Sequence, residues 1–292
     1  MDYSNKWTER ILISIQNAFL EIKTIIGTKE ANQKHNIGAG GDLTLEIDKR
    51  AEDAIIKTLE SYNEPIIIIS EEIGKYFWDP VAKKRIFKFK SSICSDFLII
   101  DPIDGSTNAK RGIPFSCISV AYANGSSLND IQVGAVFNIE TEDLFLAEKG
   151  MGAFCNNNPI HCSQTKKLAN SVGGTDIHIR DFCDPMINQK NIVLKHARKV
   201  RIMGSSALEI CLVADGSLDF YIDFRGISRI VDFAAAYLIV KEAGGFFMDD
   251  KGKSITKLTY NFSLNKRYNL FAGCSGLEEI VKKKSFPNKY NS

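Results

Sequence analysis

The chain has 292 residues, 44% hydrophobic and 25% charged, an ordinary balance for a globular protein with one large core or two modest ones. Its formal net charge of +2 argues against a general preference for nucleic acid or other polyanions. No apolar run approaches the roughly 18 residues of a membrane-spanning helix.

Cysteine and histidine usage bounds the chemistry. Seven cysteines, an odd number, occur without a CxxC pair, and the four histidines show no zinc-type spacing. The first residues, MDYSNKWTER, lack the basic-then-apolar pattern of a secretory signal. We therefore expect free thiols in a reducing cytoplasm and oxygen ligands for any metal ion.

The first half opens with helices. Apolar residues at helical spacing predict a helix over residues 7–26, ended by Gly27, and a second one over about 48–62. Between them, HNIGAGGD (35–42) predicts a glycine-rich loop.

Strands follow. PIIIIS predicts a buried strand, and the basic, irregular residues 80–95 are a candidate hairpin. After Phe115, apolar runs separated by Asn/Gly turns predict an antiparallel meander.

The second half alternates helices and strands. Helices are predicted near 183–197, in SSALEICLVADG with Ser205 or Ser206 as cap, in IVDFAAAYLIVKEAGG and at the C-terminal GLEEIVKKK. Strands are predicted in RKVRIMG, SLDFYIDF, FFMD and NLFAGC. This alternation predicts a layered α/β or α+β sandwich, with a weak boundary in the loop from Gly150 to Pro159.

Two apolar strands end in acidic residues. IIIISEE delivers Glu71, and FLIIDPID delivers Asp101 and Asp104, at a sheet edge where ligands usually sit. Pro102 fixes φ and removes a donor, so the turn can aim both aspartates and the Ile103 carbonyl at one point. Close carboxylates repel unless a proton or cation lies between them, and Mg²⁺ prefers such oxygen ligands.

Small residues follow the aspartates directly. If a helix begins at Gly105-Ser106-Thr107, its free N–H groups can bind an anion. Carboxylates for metal beside amides for phosphate make a coherent phosphoryl-transfer site. DxxD alone is more often a turn and helix cap, but the full string DPIDGSTN, with SEE upstream, favours the site.

These motifs resemble the inositol monophosphatase superfamily, which includes fructose-1,6-bisphosphatase-like and nucleotide 3′-phosphatase members. The similar segments are GDLTLEID (41–48), SEE (70–72), DPIDGSTN (101–108) and VDFAAAYLIVKEAGG (231–245), in family order over nearly the whole chain. The resemblance implies an α+β fold, the layered α-β-α-β-α sandwich, most often as a homodimer.

The resemblance also implies roles for individual residues. We expect one catalytic unit, with most metal ligands in residues 1–150 and Asp232 with substrate contacts in 151–292. The implied ligands of two to three Mg²⁺ ions, for which Mn²⁺ could substitute, are Glu71, Asp101, the Ile103 carbonyl, Asp104 and Asp232. The implied catalytic residues are Ser106, Asp48 and Glu71. The expected substrate contacts are Asp104, Gly105, Ser106, Thr107, Arg201, Ser205 and Arg225.

In this scheme the Ser106 hydroxyl, paired with Asp48, helps orient and deprotonate a metal-bound water, and no covalent phosphoenzyme is needed. The Gly38–Asp42 loop would sit over a third, weaker Mg²⁺ site. Plainer alternatives stay open. Asp48 and Asp232 could be helix caps, and the loop glycines could be a plain loop. Glu72 could lie behind the site or on the surface, and Arg225 could belong to a structural ion pair.

One segment departs from the animal-type pattern. Val231 precedes Asp232 where those enzymes usually carry tryptophan, and the residues before it include Arg225 and Arg229. Arginine suits a second phosphate or another anion better than a neutral polyol. Together with Ser106, this looks more like archaeal and bacterial members that accept both inositol phosphate and fructose 1,6-bisphosphate.

The sequence therefore predicts a Mg²⁺-dependent phosphomonoesterase that hydrolyses myo-inositol 1-phosphate, fructose 1,6-bisphosphate or both, by in-line attack of a metal-activated water. The expected partner is a small phosphorylated sugar or polyol, with no nucleic acid or membrane. A 3′-phosphoadenosine 5′-phosphate phosphatase is the first alternative and would need an adenine slot. A non-catalytic scaffold is the second, and the intact set of metal-type carboxylates argues against it.

Overall fold

A computed structural model describes residues 3–177, 192–259 and 264–285. The helices in these ranges, numbered in chain order, are α1 (Lys6–Ile22), α2 (Glu46–Glu60), α3 (Ser106–Arg111), α4 (Ile192–His196), α5 (Ser206–Ala214), α6 (Ala234–Glu242) and α7 (Glu278–Ser285). None of these described helices is long and apolar enough to cross a membrane.

The strands of the described ranges form two large sheets and one small hairpin. They are β1 (Lys34–Ile37), β2 (Leu43–Leu45), β3 (Ile66–Ser70), β4 (Gly74–Asp79), β5 (Lys84–Ile86), β6 (Phe97–Asp104), β7 (Cys117–Ala123), β8 (Ile131–Asn138), β9 (Leu144–Glu148), β10 (Ala153–Cys155), β11 (Asn158–Ile160), β12 (Val172–Thr175), β13 (Lys199–Arg201), β14 (Phe220–Ser228), β15 (Gly245–Met248) and β16 (Tyr268–Cys274).

The larger sheet has nine strands in the order β11-β10-β9-β8-β7-β6-β3-β4-β5. All its neighbours are antiparallel except β3 and β6, which run parallel. The second sheet has five strands in the order β13-β12-β14-β16-β15, and β12 is parallel to both of its neighbours.

The helices complete a layered α-β-α-β-α sandwich. α1 and α2 cover one face of the nine-stranded sheet, and α5 and α6 pack between the two sheets. Val193 of α4 and Val281 of α7 are fully buried in the core shared with the five-stranded sheet. The α+β layered architecture expected from the sequence is confirmed.

The central strands β3 and β6 are apolar over residues 66–69 and 97–100 because both of their faces are covered. Successive side chains of a strand point to opposite faces, so they alternate between two cores. Those facing α1 and α2 are Ile66, Ile68, Leu98 and Ile100. Those facing the inner helices are Ile67, Ile69, Phe97 and Ile99.

Most predicted elements lie where the sequence placed them, with shifted ends. α1 stops at Ile22, and the chain reaches Gly27 through turns. The hairpin predicted within residues 80–95 is only partly confirmed, because β5 lies in that range but pairs with β4, which ends at Asp79. The strands β7 to β11 form the expected meander. The predicted glycine loop is partly a hairpin, because β1 runs to Ile37 and pairs with β2.

Two predictions are only partly addressed. Of the helix predicted near 183–197, residues 183–191 lie outside the described ranges, and α4 accounts for Ile192–His196. The division near residue 150 stays a prediction, and the nine-stranded sheet itself continues past it to β11.

Candidate active site

The acidic residues predicted at strand ends lie at one sheet edge. β3 and β6 are parallel neighbours with Ser70 opposite Ile100, so the residues that follow, Glu71 and Asp101, come out side by side. A register irregularity against β7 separates Asp101 from Asp104. A bulge of this kind changes the direction in which side chains point, and here it sets the direction of Asp104, the second aspartate of DPID.

Asp104 is held by hydrogen bonds from the start of α5, the helix that packs between the two sheets. Its Oδ2 accepts hydrogen bonds from the Ala207 backbone N–H at 2.6 Å and from the Ser205 hydroxyl at 2.8 Å. Ser205 occupies the N-cap position of α5, as predicted, but its side chain makes no capping bond. The hydroxyl of Ser205 therefore positions an acidic side chain of the site instead of capping its own helix.

Asp232 enters from the turn before α6, and an arginine joins it to the other acids. The Asp232 Oδ2 accepts the Arg229 backbone N–H at 2.6 Å, which fixes the turn. The Arg229 guanidinium then lies 3.0 Å from Asp232 Oδ1 and 2.7 Å from Glu71 Oε1. A third, longer contact of 3.3 Å reaches Asp42 Oδ2 in the glycine loop.

Burial and mutual repulsion set the protonation of this cluster. Burial, with repulsion from Glu71 and Asp104, raises the pKa of Asp101 well above its usual value. Burial is also the main reason that the pKa values of Glu71 and Asp104 rise to about 7. The pKa of Asp232 rises through burial, although the Arg229 charge opposes the shift.

The donor set fits a hard divalent cation. Asp101 is 1% exposed, and its Oδ1 has no hydrogen-bond partner. A buried charged oxygen without a partner is costly, and a cation is the ligand that relieves it. Among the residues that the structure describes, no three acidic, histidine or cysteine side chains already converge on one metal position. Arg229 stands between Glu71 and Asp232.

Asp48 and Ser106 lie beside the cluster. The Asp48 Oδ2 accepts the Leu45 backbone N–H at 3.0 Å at the start of α2, so the helix-cap reading holds for this oxygen. The Oδ1 is buried without a partner, and burial raises the Asp48 pKa to about 7. Ser106 lowers that pKa, but its hydroxyl donates to the Ile103 carbonyl at 2.9 Å. The predicted catalytic pairing stays a prediction.

Gly105, where the resemblance expects phosphate, is closely packed against its neighbours. Its φ is +88°, a left-handed conformation that favours glycine. A Cβ there would lie 3.1 Å from the Phe115 carbonyl and 3.2 Å from Ser205 Cβ. Ser106 is half-buried and Thr107 is exposed.

The glycine loop packs onto the acidic residues. The backbone N–H groups of Ala39 and Gly40 donate to the carbonyls of Glu72 and Glu71 at 2.9 and 2.7 Å. A Cβ on Gly40 would lie 2.5 Å from Arg229 Nη1, so glycine is required by close approach. Glu72 is half-buried beneath this loop and bonds the Thr44 hydroxyl, which places it behind the site.

Four of the residues described above, Gly40, Asp104, Arg229 and Asp232, line a cleft of about 400 Å³. Its charged lining residues are Asp42, Asp104, Asp176, Asp223, Arg225, Arg229, Asp232 and Arg267. A larger groove of about 740 Å³ lies between α1 and α2 and contains none of the predicted metal ligands.

The arginines differ from expectation. Arg225 lines the cleft, but its Nη2 contacts Asp176 at 2.8 Å and Asp223 at 2.9 Å, the structural ion pair left open above. Arg201 is exposed on the edge strand β13 and is not among the described residues that border the cleft.

Arg267 was missed by sequence reasoning. Its Nη2 donates to the Gly40 carbonyl at 3.2 Å, across 227 residues of chain. No local sequence pattern predicts a contact between residues so far apart in the chain.

This layered sandwich, with carboxylates brought together at the strand ends of one sheet edge, defines a metal-dependent phosphatase, a phosphoric monoester hydrolase. Residues 6–281 match the model of the inositol monophosphatase family. The chain belongs to this family.

Some similar proteins have inositol monophosphatase in their names, and others are named for NADP phosphatase activity. The chain is 37% identical over 243 residues to a fructose-1,6-bisphosphatase/inositol-1-monophosphatase of Methanothermobacter thermautotrophicus, covering 81% of this chain and 82% of the relative. It is 34% identical over 281 residues to a bifunctional NADP phosphatase/NAD kinase of Methanococcus maripaludis. That match covers 90% of this chain but 45% of the relative.

Solved structures share the fold over nearly the whole chain. A crystal structure described as inositol monophosphatase-fructose 1,6 bisphosphatase superimposes with a TM-score of 0.77 at 28% identity, covering 95% and 98% of the two chains. The IMPase of Thermotoga maritima gives a TM-score of 0.75 at 26% identity, covering 96% and 97%.

Proposed function

We propose that this phosphatase is a Mg²⁺-dependent phosphomonoesterase acting on myo-inositol 1-phosphate, fructose 1,6-bisphosphate or both. The observation that carries the proposal is the cluster of acidic side chains at one sheet edge, in which buried Asp101 has an oxygen without a partner among the described residues, and Asp104 and Asp232 line the cleft. The relatives named fructose-1,6-bisphosphatase/inositol-1-monophosphatase support the substrate class.

The residues divide the work. Glu71, Asp101, Asp104, Asp232 and the Ile103 carbonyl would hold two to three Mg²⁺ ions, for which Mn²⁺ could substitute. Bound metal neutralises phosphoryl charge and makes water a better nucleophile at neutral pH.

The other side chains orient the reactants. The backbone amides of Gly105 and of the residues that follow it at the start of α3 would donate to the phosphate oxygens. The free Asp48 Oδ1 is the nearby acceptor for a water proton, with the Ser106 hydroxyl beside it.

A nucleotide phosphatase is the second candidate. Relatives named bifunctional NADP phosphatase/NAD kinase are 34% and 32% identical to this chain, which spans less than half of their length. Arg229 and Arg267 line the cleft and are two cations that a second phosphate would contact. The same argument keeps 3′-phosphoadenosine 5′-phosphate as a test substrate.

The test is phosphate release with Mg²⁺ from inositol 1-phosphate, fructose 1,6-bisphosphate, NADP and 3′-phosphoadenosine 5′-phosphate, for wild type and Asp104→Asn. Activity on the first two that is lost in the variant supports the proposal. Activity on a nucleotide alone moves the chain to the second candidate. No turnover on any substrate, with Mg²⁺ binding intact, contradicts both and favours a non-catalytic role.

The remaining expectations belong to the same proposal. We expect a cytoplasmic homodimer without affinity for nucleic acid or membranes. Light scattering on the purified chain measures the mass, and a monomer at micromolar concentration contradicts the dimer. The near-neutral net charge of +2 supports the expected lack of nucleic-acid binding.

A further inference from the structure

Arg229 is a cation that pairs with two members of the acidic cluster. Its guanidinium contacts Glu71 Oε1 at 2.7 Å and Asp232 Oδ1 at 3.0 Å, and only 13% of the side chain is exposed. Glu71 follows β3 and Asp232 precedes α6, so one side chain joins the two sides of the cleft. A planar guanidinium suits this bridging of two carboxylates.

The oxygens that Arg229 contacts are the ones that a divalent ion would need. A carboxylate oxygen engaged in a charge-assisted hydrogen bond is less available as a metal ligand, and two cations in one small site repel each other. A divalent ion that used Glu71 Oε1 or Asp232 Oδ1 as a ligand would therefore exclude the guanidinium from its present position.

The structure also offers Arg229 a place to go. Asp42 Oδ2 lies 3.3 Å from Nη1, and the Asp42 side chain is 80% exposed at the mouth of the cleft. Gly40 leaves this path open because it has no side chain. A Cβ at this position would come within 2.5 Å of Arg229 Nη1. A short rotation of the Arg229 side chain toward Asp42 gives up the contacts with Glu71 and Asp232 and keeps the contact with exposed Asp42.

We propose that Arg229 is a tethered cation that competes with the divalent metal ion for Glu71 and Asp232, and so sets the metal affinity of the site. Metal binding moves the guanidinium toward Asp42. The inference rests on the proposed function, because it takes Glu71 and Asp232 as metal ligands. Arg229 is thus a positioning residue that acts through the acidic side chains it holds.

Calorimetric titration of the full chain with Mg²⁺, and with Mn²⁺ as a second probe, tests this. Arg229→Met should tighten metal binding by about tenfold or more, because the competing charge is gone. Arg229→Lys keeps one charge without the bridging fork, so its affinity should fall between the two, and it serves if the methionine variant does not fold.

Arg225→Met is the matched control. It removes the same charge from the same stretch, but from an arginine held by Asp223 and Asp176. Its metal affinity should change by less than about threefold, and that change should shrink with added salt because it is a longer-range effect.

A second readout is thermal unfolding in EDTA and in saturating Mg²⁺. Arg229→Met should lower Tm in EDTA, where its acidic neighbours lose their counter-charge, and should recover in Mg²⁺. Unchanged or weaker metal binding in Arg229→Met overturns the inference while leaving the phosphatase proposal standing. Absence of metal binding in wild type, together with absence of phosphate release, overturns the proposed function and this inference with it.

Discussion

Two arginine clusters border the same cleft and differ in where their partners come from. Arg225 is 8% exposed and is satisfied by Asp223, two residues away, and by Asp176. Arg229 is satisfied by Glu71, Asp232 and Asp42, which lie on separate elements. The first cluster belongs to the scaffold of the five-stranded sheet. The second holds two carboxylates that we propose as metal ligands, so its ion pairs are the ones that metal binding would replace.

The largest expected effect comes from neutralising an acid of the Arg229 cluster. Asp232→Asn should lower kcat with Mg²⁺ by about a thousandfold or more, because a ligand of the reacting centre is lost. Its thermal stability in EDTA should stay near that of wild type, because a buried, repelled charge is removed as well. Phosphate release and thermal unfolding measure the two effects, and activity within tenfold of wild type would remove Asp232 from the site.

The same change in the Arg225 cluster should act on stability instead. Asp223 accepts from the Arg225 backbone and guanidinium at 2.9–3.0 Å and from the Ser228 hydroxyl at 2.7 Å. Asp223→Asn leaves the buried guanidinium half-paired, and the free energy of unfolding should fall by about 3 kcal/mol. Urea unfolding measures this. A fully stable variant that has lost its Mg²⁺ response would contradict the division between the two clusters.

Glu209 is a buried acid that forms no salt bridge with the part of the chain that the structure describes. Glu209 is fully buried, accepts the N–H groups of Met203 and Gly204 at 3.2 and 3.1 Å, and leaves Oε2 without a partner. Burial raises its pKa from 4.5 to about 8. The folded state therefore binds an extra proton, and this contribution is present below pH about 4.5 and is lost as the pH rises through about 8.

Glu209→Gln should flatten this part of the pH profile. Between pH 5 and pH 8 the variant should lose roughly 3.5 kcal/mol less unfolding free energy than wild type does. Parallel urea titrations at the two pH values give the difference. Identical slopes for the two proteins would show that Glu209 carries no such shift.

An exposed ion pair sets the lower end of the scale. Lys49 and Asp53 pair on the surface of α2, with side chains 47% and 61% exposed. Lys49→Ala should change the free energy of unfolding by less than about 0.5 kcal/mol, because solvent and salt screen the pair. A loss above 1 kcal/mol would mean that surface charges matter more here than the buried clusters suggest.

The local part of the site could be read from the sequence. Apolar strands that end in Glu71 and Asp101 are visible as runs of letters, and β3 and β6 place them together because parallel neighbours end at one edge. The layered fold followed from the motif order and from the alternation of elements. Both are properties of short segments, which carry their own periodicity and turn signals.

The charge arrangement could not be read in this way. Arg229 meets Asp42 across 187 residues, and Arg267 meets Gly40 across 227. Arg225 and Arg229 look equivalent in DFRGISRIVD. Only the folded chain shows that Arg225 pairs with Asp223 and Asp176, whereas Arg229 pairs with acids of the candidate site. Ser205 was placed at a helix start, but its hydroxyl bonds Asp104 from another layer. Such partners depend on how layers pack.

A crystal structure of the active enzyme with Mn²⁺, with the ions located by anomalous scattering, tests the central claim most directly. The account predicts anomalous peaks bonded to Glu71, Asp101, Asp104 and Asp232, with the Arg229 guanidinium displaced from Glu71 Oε1 toward Asp42. Peaks confined to other parts of the molecule, in crystals of enzyme that still hydrolyses its substrate, would contradict it.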